Sequence, residues 1–414
     1  MHQLYGDGLH DDHPAIQALF DSGIAQVELP VPAAHYCISR TLRIHGGQTL
    51  RLPRTAVIRL LPGSDCLMLA NAEADASDIA VEGGIWDHDN LAQTSNPFLS
   101  GAFRKAARAS HTDGNPDTVV TYGDAYNGSM MRFFKVTRLS IRNLTMKNPV
   151  TYCLQMAYVR YFTVENIDFD MNLGNPVPMN MDGVHLDGGC RFGVVRNLKG
   201  TCHDDMVALN ADDGCDGPIG DIEIDGVFGE GSHRAVRLLS MRSPVSRVSV
   251  SNVFGTFYAS GIMISYWYPP TGVRGRMSCL SFRNIHADFA LPPGWTEARN
   301  PRYNWPLVWI DGDIDIDSLS FDNLSRREDP SARETFGIGA HAHIENLALS
   351  HIFQRGAPGM APVLLRNAGR IDRLRLYDID AGGATVLENA GLIGQLREVD
   401  VRPTNEAPHL WERQ

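Results

Sequence analysis

One short segment recurs along the chain in the order apolar, any, apolar, any, Asn/Asp/Gly, apolar, and this repeat limits the fold more than any other feature. It reads LSIRNL at 139–144, FTVENI at 162–167 and GVVRNL at 193–198, with glycine at the first apolar position of the third copy. It continues as IEIDGV at 222–227, VSVSNV at 248–253, LSFRNI at 280–285, LSFDNL at 319–324, LALSHI at 347–352 and LRLYDI at 374–379. Successive copies lie 23, 31, 29, 26, 32, 39, 28 and 27 residues apart. An earlier copy begins at Ile79, and a weaker one lies near Val399 and Val401. Each copy alternates apolar and polar side chains, the mark of a strand with one buried face. Each ends on a residue type that tolerates a left-handed bend and can bond its own backbone. No long amphipathic helix separates the copies, which excludes a barrel or doubly wound sheet of alternating strands and helices. A strand–bend–strand unit at this period is one coil of a solenoid. Leucine-rich repeats are the rival, but their consensus and regular period are absent. The reading is an all-β parallel β-helix of about ten or more coils, spanning 1–414 as one domain.

A solenoid needs capped ends. Asp11 to Phe20 reads as a short helix with carboxylates at its start and Pro14 in its first turn, so 1–30 is expected to cap the N-terminal end. Three stretches interrupt the period and read as loops: 87–127, Gly261–Val273 and Pro292–Pro306. Long solenoid loops commonly carry binding function. The formal charge of −11 and the lack of a basic stripe argue against a nucleic-acid partner. No apolar run approaches the ~20 residues a membrane helix needs. The seven cysteines have no metal-binding or redox spacing and read as core thiols. No secretory leader is visible at the start, which points to the cytoplasm, or to secretion or the periplasm if a signal segment has been removed.

The chemistry gathers in two acidic segments. Asp182 lies in MNMDGVHLDG at 179–188, and Asp204 and Asp205 lie in HDDMVAL at 203–209. The offset of 22 to 23 residues is close to one short coil, which places all three carboxylates on neighbouring rungs of one face. Carboxylates so close cannot all ionise easily, and one should hold its proton. A protonated acid beside an ionised base is what glycosidic hydrolysis requires. A lone Asp before a turn is usually a cap; the joint pattern is what carries the reading. His185 and Asp187 alternate with Val184 and Leu186 and are expected to face outward beside Asp182.

These motifs resemble glycoside hydrolase family 28, the polygalacturonases and rhamnogalacturonan hydrolases of the pectin-lyase-like β-helix superfamily. The opening GDGLHDDHPAIQ at 6–17 is similar to the superfamily's N-terminal signature, Asn180 to Gly183 to the family's Asn-Thr-Asp-Gly, and His203 to Asp205 to its Gly/Gln-Asp-Asp. The resemblance covers roughly residues 5–290. It implies a right-handed coil, hydrolysis with inversion, and no metal or other cofactor. It also implies Asp204 as general acid, with Asp182 and Asp205 placing and deprotonating the water. The family's Gly-His-Gly falls near Gly231 to Ala235, where either His233 holds the histidine's place or Arg234 does, with Ala235 at the small-residue position. Its Arg-Ile-Lys falls within Gly261 to Tyr266, where Met263 and Ser265 replace the two cations that hold a uronate carboxylate. Arg237, Arg242, Arg274 and Arg276 are candidate substitutes.

Expected substrate contacts are Asn180, His185, His203, His233, Arg234 and Arg237, with Tyr266 and Trp267 as an aromatic platform for sugar faces. Asn180 reads equally well as a bend residue. Trp295 and Trp305 are further aromatic candidates. The acidic run Asp311 to Asp317 reads as a strand with a solvated face rather than a calcium loop, and Asp212 to Gly217 as a turn. The expected activity is a glycosidase acting from a chain end on pectin-like or other acidic or rhamnose-containing oligosaccharides. A polysaccharide lyase on the same fold and a non-catalytic carbohydrate-binding or tailspike-like module are the alternatives.

Overall fold

The computed structural model describes residues 3–100, 126–266, 272–290, 305–329 and 331–402. Among them, 26 strands join in parallel ladders that wind from Gln26–Glu28 to Leu392–Arg402. The repeat sets the register. Leu139 lies opposite Phe162, Phe162 opposite Gly193, Gly193 opposite Ile222, and the pairing continues copy against copy to Leu347 opposite Leu374. Inward positions such as Ile141, Val164, Val195, Ile224, Val250 and Phe282 stack into one continuous core. Stacking removes most of each side chain from water, worth about 1.5–3 kcal/mol per large aliphatic residue. Gly193 is the exception at the first apolar position. A methyl group there would come within 2.0 Å of the Phe162 ring, so the ring of one rung fills the space a side chain would take on the next.

The bends fall where the repeat places them. Asn143, Asn166, Asn197, Asn252, Asn284, Asn323, His351 and Asp378 all take φ values of 51–60°. Their side chains, however, bond across rungs rather than to their own backbone. Asn166 donates to Asn143 at 2.9 Å, Asn197 to Asn166, Asn284 to Asn252 at 3.0 Å and Asn323 to Asn284 at 2.9 Å. Gly226 interrupts this ladder, and Asn252 donates to the adjacent Asp225 at 2.6 Å instead. A second left-handed residue precedes each of six copies, at Arg138, Tyr161, Phe192, Asp221, Arg247 and Cys279.

The helix spans His13–Asp21 and packs Ile16 and Phe20 into the core. Its start differs from the expectation. Asp12 does not cap the helix with its side chain; its carboxylate accepts from the backbone N–H groups of Tyr5, Gly6 and Cys37, tying the chain's start to the first coil. The cap is also shorter than residues 1–30, because Gln26–Glu28 already pairs with Thr49–Arg51. Two expected loops need correction. Gly261 to Ser265 belongs to the strand Val245–Ser265, since Ile262 and Ile264 alternate inward. The described part of the 87–127 segment is packed: it starts on the last residue of the strand Ile85–Asp87 and holds two 3-10 turns, with His88, Asn90, Gln93 and Asn96 buried. Most of 292–306 lies outside the described residues. The acidic run is divided: Asp311 ends the strand Val308–Asp311, the chain bends at Gly312 and Asp313, and only the remainder opens a strand, Ile314–Asp329, with Ile314 and Ile316 inward and Asp315 held by Arg274 at 3.0 Å.

Candidate active site

One ladder positions the acidic residues. It runs through Met131–Phe134, Leu154–Ala157, Val184–Asp187 and Asp205–Asn210, then the second half of Ile219–Leu239, the end of Val245–Ser265 and Val308–Asp311. Val184 lies opposite Val207, and the Gly183 N–H donates to the Asp205 carbonyl at 2.9 Å. The 23-residue offset is therefore one coil, and Asp182 enters its strand beside Asp205. Arg234 lies opposite Asp205 on the following rung, and Ser260 opposite Arg234 on the next.

This register brings both His233 and Arg234 into the site. Arg234 Nη1 donates to Asp204 Oδ1 at 2.9 Å and to Asp205 Oδ1 at 2.6 Å. His233 Nδ1 lies 3.2 Å from Asp204 Oδ1, and Arg237 Nη1 lies 3.9 Å from Asp205 Oδ2. Asp182, Asp205, His233 and Arg234 are almost fully buried, whereas the Asp204 side chain keeps 20% of its surface open. Asp205 Oδ2, Arg234 Nε and Ser260 Oγ are buried without a hydrogen-bond partner among the described residues.

The electrostatics separate the carboxylates. Burial pushes the Asp182 carboxyl up to about 7, and the charges of Asp204 and Asp205 add to the rise against the pull of His185. Burial also acts on Asp204, but His233, Arg234 and Arg237 overcome it and hold that carboxyl well below the usual range. His233 itself lies below its ordinary value because of burial and the adjacent guanidinium. Asp204, Asp205 and His233 offer ligand atoms within 4.8 Å of one another, a spacing that could gather a cation. Arg234 already bridges the two carboxylates, so a cation would have to displace a buried guanidinium.

His185 and Asp187 leave the core face as expected, but they do not reach solvent: both are buried. Tyr152 stacks on the His185 ring with centroids 4.1 Å apart. His203 is also a wall residue. Its Nδ1 lies 3.2 Å from the Tyr258 hydroxyl, and burial pulls its value down to about 4. Asn180 takes φ of 57°, the bend reading. Tyr266 is corrected outright. It continues the inward alternation of Ile262 and Ile264 into the core, where no sugar face can reach it. Trp267 lies outside the described residues, as does Trp295.

The aromatic surface lies elsewhere. His203, Tyr258, His233, Trp305 and Trp309 form an arc of rings with successive centroids 6.3, 5.0, 6.4 and 4.6 Å apart. Trp305 also covers the Arg234 guanidinium at 5.1 Å. Tyr258 and Trp309 were not singled out from sequence. Trp309 could have been, since it stands between inward Val308 and Ile310 on a strand. Of the candidate arginines, Arg237 reaches the site and bonds Ser265 Oγ at 3.5 Å. Arg242 pairs with Asp216, and Arg274 with Asp315. Asp212 is not open to a calcium ion: its carboxylate takes the backbone N–H groups of Met241, Arg242 and Ser243.

No protein-family model matches this chain, and no curated protein sequence does. Solved structures do. The family 28 exopolygalacturonase of Yersinia enterocolitica is 14% identical, with a TM-score of 0.57 over 97% of this chain and 77% of its own. The endo-xylogalacturonan hydrolase of Aspergillus tubingensis is 13% identical, with a TM-score of 0.60 over 94% of this chain and 98% of its own. PfbA, a surface adhesin of Streptococcus pneumoniae, is 12% identical, with a TM-score of 0.51 over 89% and 91%. Among the described residues no helix is long and apolar enough to cross a membrane. At these identities the likeness establishes the fold, a right-handed parallel β-helix that serves glycosidases and an adhesin alike.

Proposed function

We propose that this chain is a glycoside hydrolase that inverts configuration and acts from the end of pectin-like or other acidic or rhamnose-containing oligosaccharides. One observation carries the reading: Asp182 enters its strand beside Asp205, away from the cation that holds Asp204, while His233 and Arg234 contact Asp204 directly, so burial favours the proton on Asp182 and those two partners favour its loss from Asp204. Residues whose environments push them apart in this way divide acid and base work between them. Asp182 then donates its proton to the glycosidic oxygen as the C–O bond breaks. Asp204 and Asp205 hold a water on the opposite face and take its proton as its oxygen bonds the anomeric carbon. The reaction consumes one water; the base then loses its proton to solvent and Asp182 regains one from it, which resets both carboxyls. This division reverses the roles implied by the family resemblance, in which Asp204 is the acid. The reversal rests on His233 and Arg234, which lie 3.2 and 2.9 Å from Asp204 Oδ1 and favour its ionised form.

The substrate class follows from what lines the face beyond the carboxylates. By the motif resemblance, Met263 and Ser265 take the positions of the family's uronate-binding cations; Met263 is in register with Arg237 and Trp309. Trp305 and Trp309 offer ring surface to a sugar, and Arg237 offers a cation. Action from a chain end is supported on the other side of Asp182. There Asn96 donates to the Met179 carbonyl at 2.8 Å and Phe98 packs on Tyr152, so the 87–100 segment closes against the bend that leads into Asp182. Reducing-sugar release from a panel of pectic and bacterial oligosaccharides tests the proposal. The wild type should release monosaccharide, and Asp204→Asn should lose at least about 10³-fold of that rate with its circular dichroism unchanged. Full activity in Asp204→Asn, or glycan binding without turnover across the panel, would overturn it. A ladder of oligomeric products would overturn the chain-end part alone.

A further inference from the structure

His185 is an imidazole with a carboxylate on each nitrogen. Nδ1 lies 2.6 Å from Asp182 Oδ2, and Nε2 lies 3.2 Å from Asp187 Oδ1. Ring and carboxylates are buried, and Tyr152 covers the ring face. The arrangement continues away from the site. Gln155 Nε2 donates to Asp187 Oδ2 at 2.9 Å, while Gln155 Oε1 accepts from Asn127 Nδ2 at 3.0 Å and Ser129 Oγ at 2.9 Å. Asn127 Oδ1 in turn accepts from Arg132 Nη2 at 2.6 Å. Arg132, Gln155 and His185 stand opposite one another on three consecutive rungs, so the solenoid register itself aligns the chain of bonds.

The donors fix the protonation pattern. Gln155 donates one N–H to Asp187 Oδ2, which makes Asp187 an acceptor. With the Asp182 proton on its other oxygen, Asp182 Oδ2 is an acceptor as well, and an imidazole between two acceptors satisfies both only when both its nitrogens carry hydrogen. We infer that Asp187 is a positioning residue for Asp182, acting through His185, which it keeps as an imidazolium aimed at one Asp182 oxygen. The other Asp182 oxygen is then the one presented to substrate. The groups facing this relay are Asp204, Asp205 and Arg234 from the next two rungs, the thiols of Cys153 and Cys202 beside Asp182, and those of Cys190 and Cys215 beside Asp187. Burial lowers the value of an isolated histidine, yet here Asp187 and Asp182 outweigh it and hold His185 well above its ordinary range. The consequence for catalysis rests on Asp182 being the acid; the state of His185 does not.

Asp187→Asn tests the inference. Long-range ¹H–¹⁵N spectra of histidine-labelled protein, with His185→Gln used for assignment, read the ring directly. In the wild type His185 should remain an imidazolium through pH 8, and in Asp187→Asn it should be neutral there. Loss of that positive charge should tighten the Asp182 proton, so the alkaline limb of kcat/KM should move up by about one pH unit. kcat should fall by about 10- to 100-fold with KM little changed, as for other residues that orient a reacting group from behind. If Asp187→Asn fails to fold, Gln155→Ala should shift the ring titration in the same direction by less. An unchanged His185 titration in the folded variants would overturn the inference, as would an unmoved limb with kcat falling only in step with the folded fraction. If no sugar is turned over, the ring spectra alone decide the relay, and the missing turnover counts only against the hydrolase reading.

Discussion

Arg234 governs the site residue by residue. Its guanidinium bonds Asp204 and Asp205 together, and without it the pair would be left with His233 at 3.2 Å from Asp204 and Arg237 only at 3.9 Å from Asp205. Arg234→Met should therefore destabilise the protein by about 3–5 kcal/mol in urea unfolding at pH 7, and much less at pH 4 where the carboxyls can take protons. An equal loss at both pH values would show that packing, not charge, is what the arginine supplies. The three aspartates were legible in the sequence because their spacing matches one coil. His233 and Arg234 were legible as a pair, though sequence alone could not choose between them; the register brings in both. Tyr266 was misread for a local reason: the aromatic run at 266–268 suggested an exposed platform, while the period-2 alternation through Ile262 and Ile264 already pointed its ring inward. The burial of His185 was not legible, since it depends on Tyr152 from a neighbouring rung.

At the level of the element, each coil is held at its corner as well as through its core. An asparagine in the bend does two things: it accepts the left-handed backbone and bonds the asparagine above and below. Asn166→Gly should keep the first and lose the second, costing about 1–2 kcal/mol, whereas Asn166→Ala should lose both and cost about 1 kcal/mol more. Thermal or urea unfolding of the two variants separates these contributions, and equal losses would mean that the ladder bonds alone matter. Gly193→Leu should destabilise by about 1–3 kcal/mol, because its side chain would occupy the volume of the Phe162 ring. The repeat was readable because apolar alternation and a bend residue recur together. The second left-handed corner was not, since Arg138, Tyr161, Phe192, Asp221, Arg247 and Cys279 share no chemistry that announces it.

Over the whole molecule, the site draws on stability that the stacked core supplies. Asp182 titrates near 7 in the folded chain and near the ordinary carboxylate value when unfolded. Between about pH 4 and 7 the folded state thus binds more protons at this residue, and its contribution to stability falls as pH rises through that window. Asp182→Asn should consequently raise stability at pH 8 by about 2–4 kcal/mol, with little gain at pH 4, as followed by urea unfolding. A gain of the same size at both pH values would locate the effect in packing. The same titration should govern turnover. The most direct measurement is the pH dependence of wild-type kcat/KM on an oligosaccharide that the protein cleaves. With Asp182 as the acid and Asp204 ionised far below neutrality, the rate should hold through the mildly acidic range and fall tenfold per pH unit above about 7. A rate that instead climbs through pH 7 would contradict the account, because Asp182 would then be working as the base.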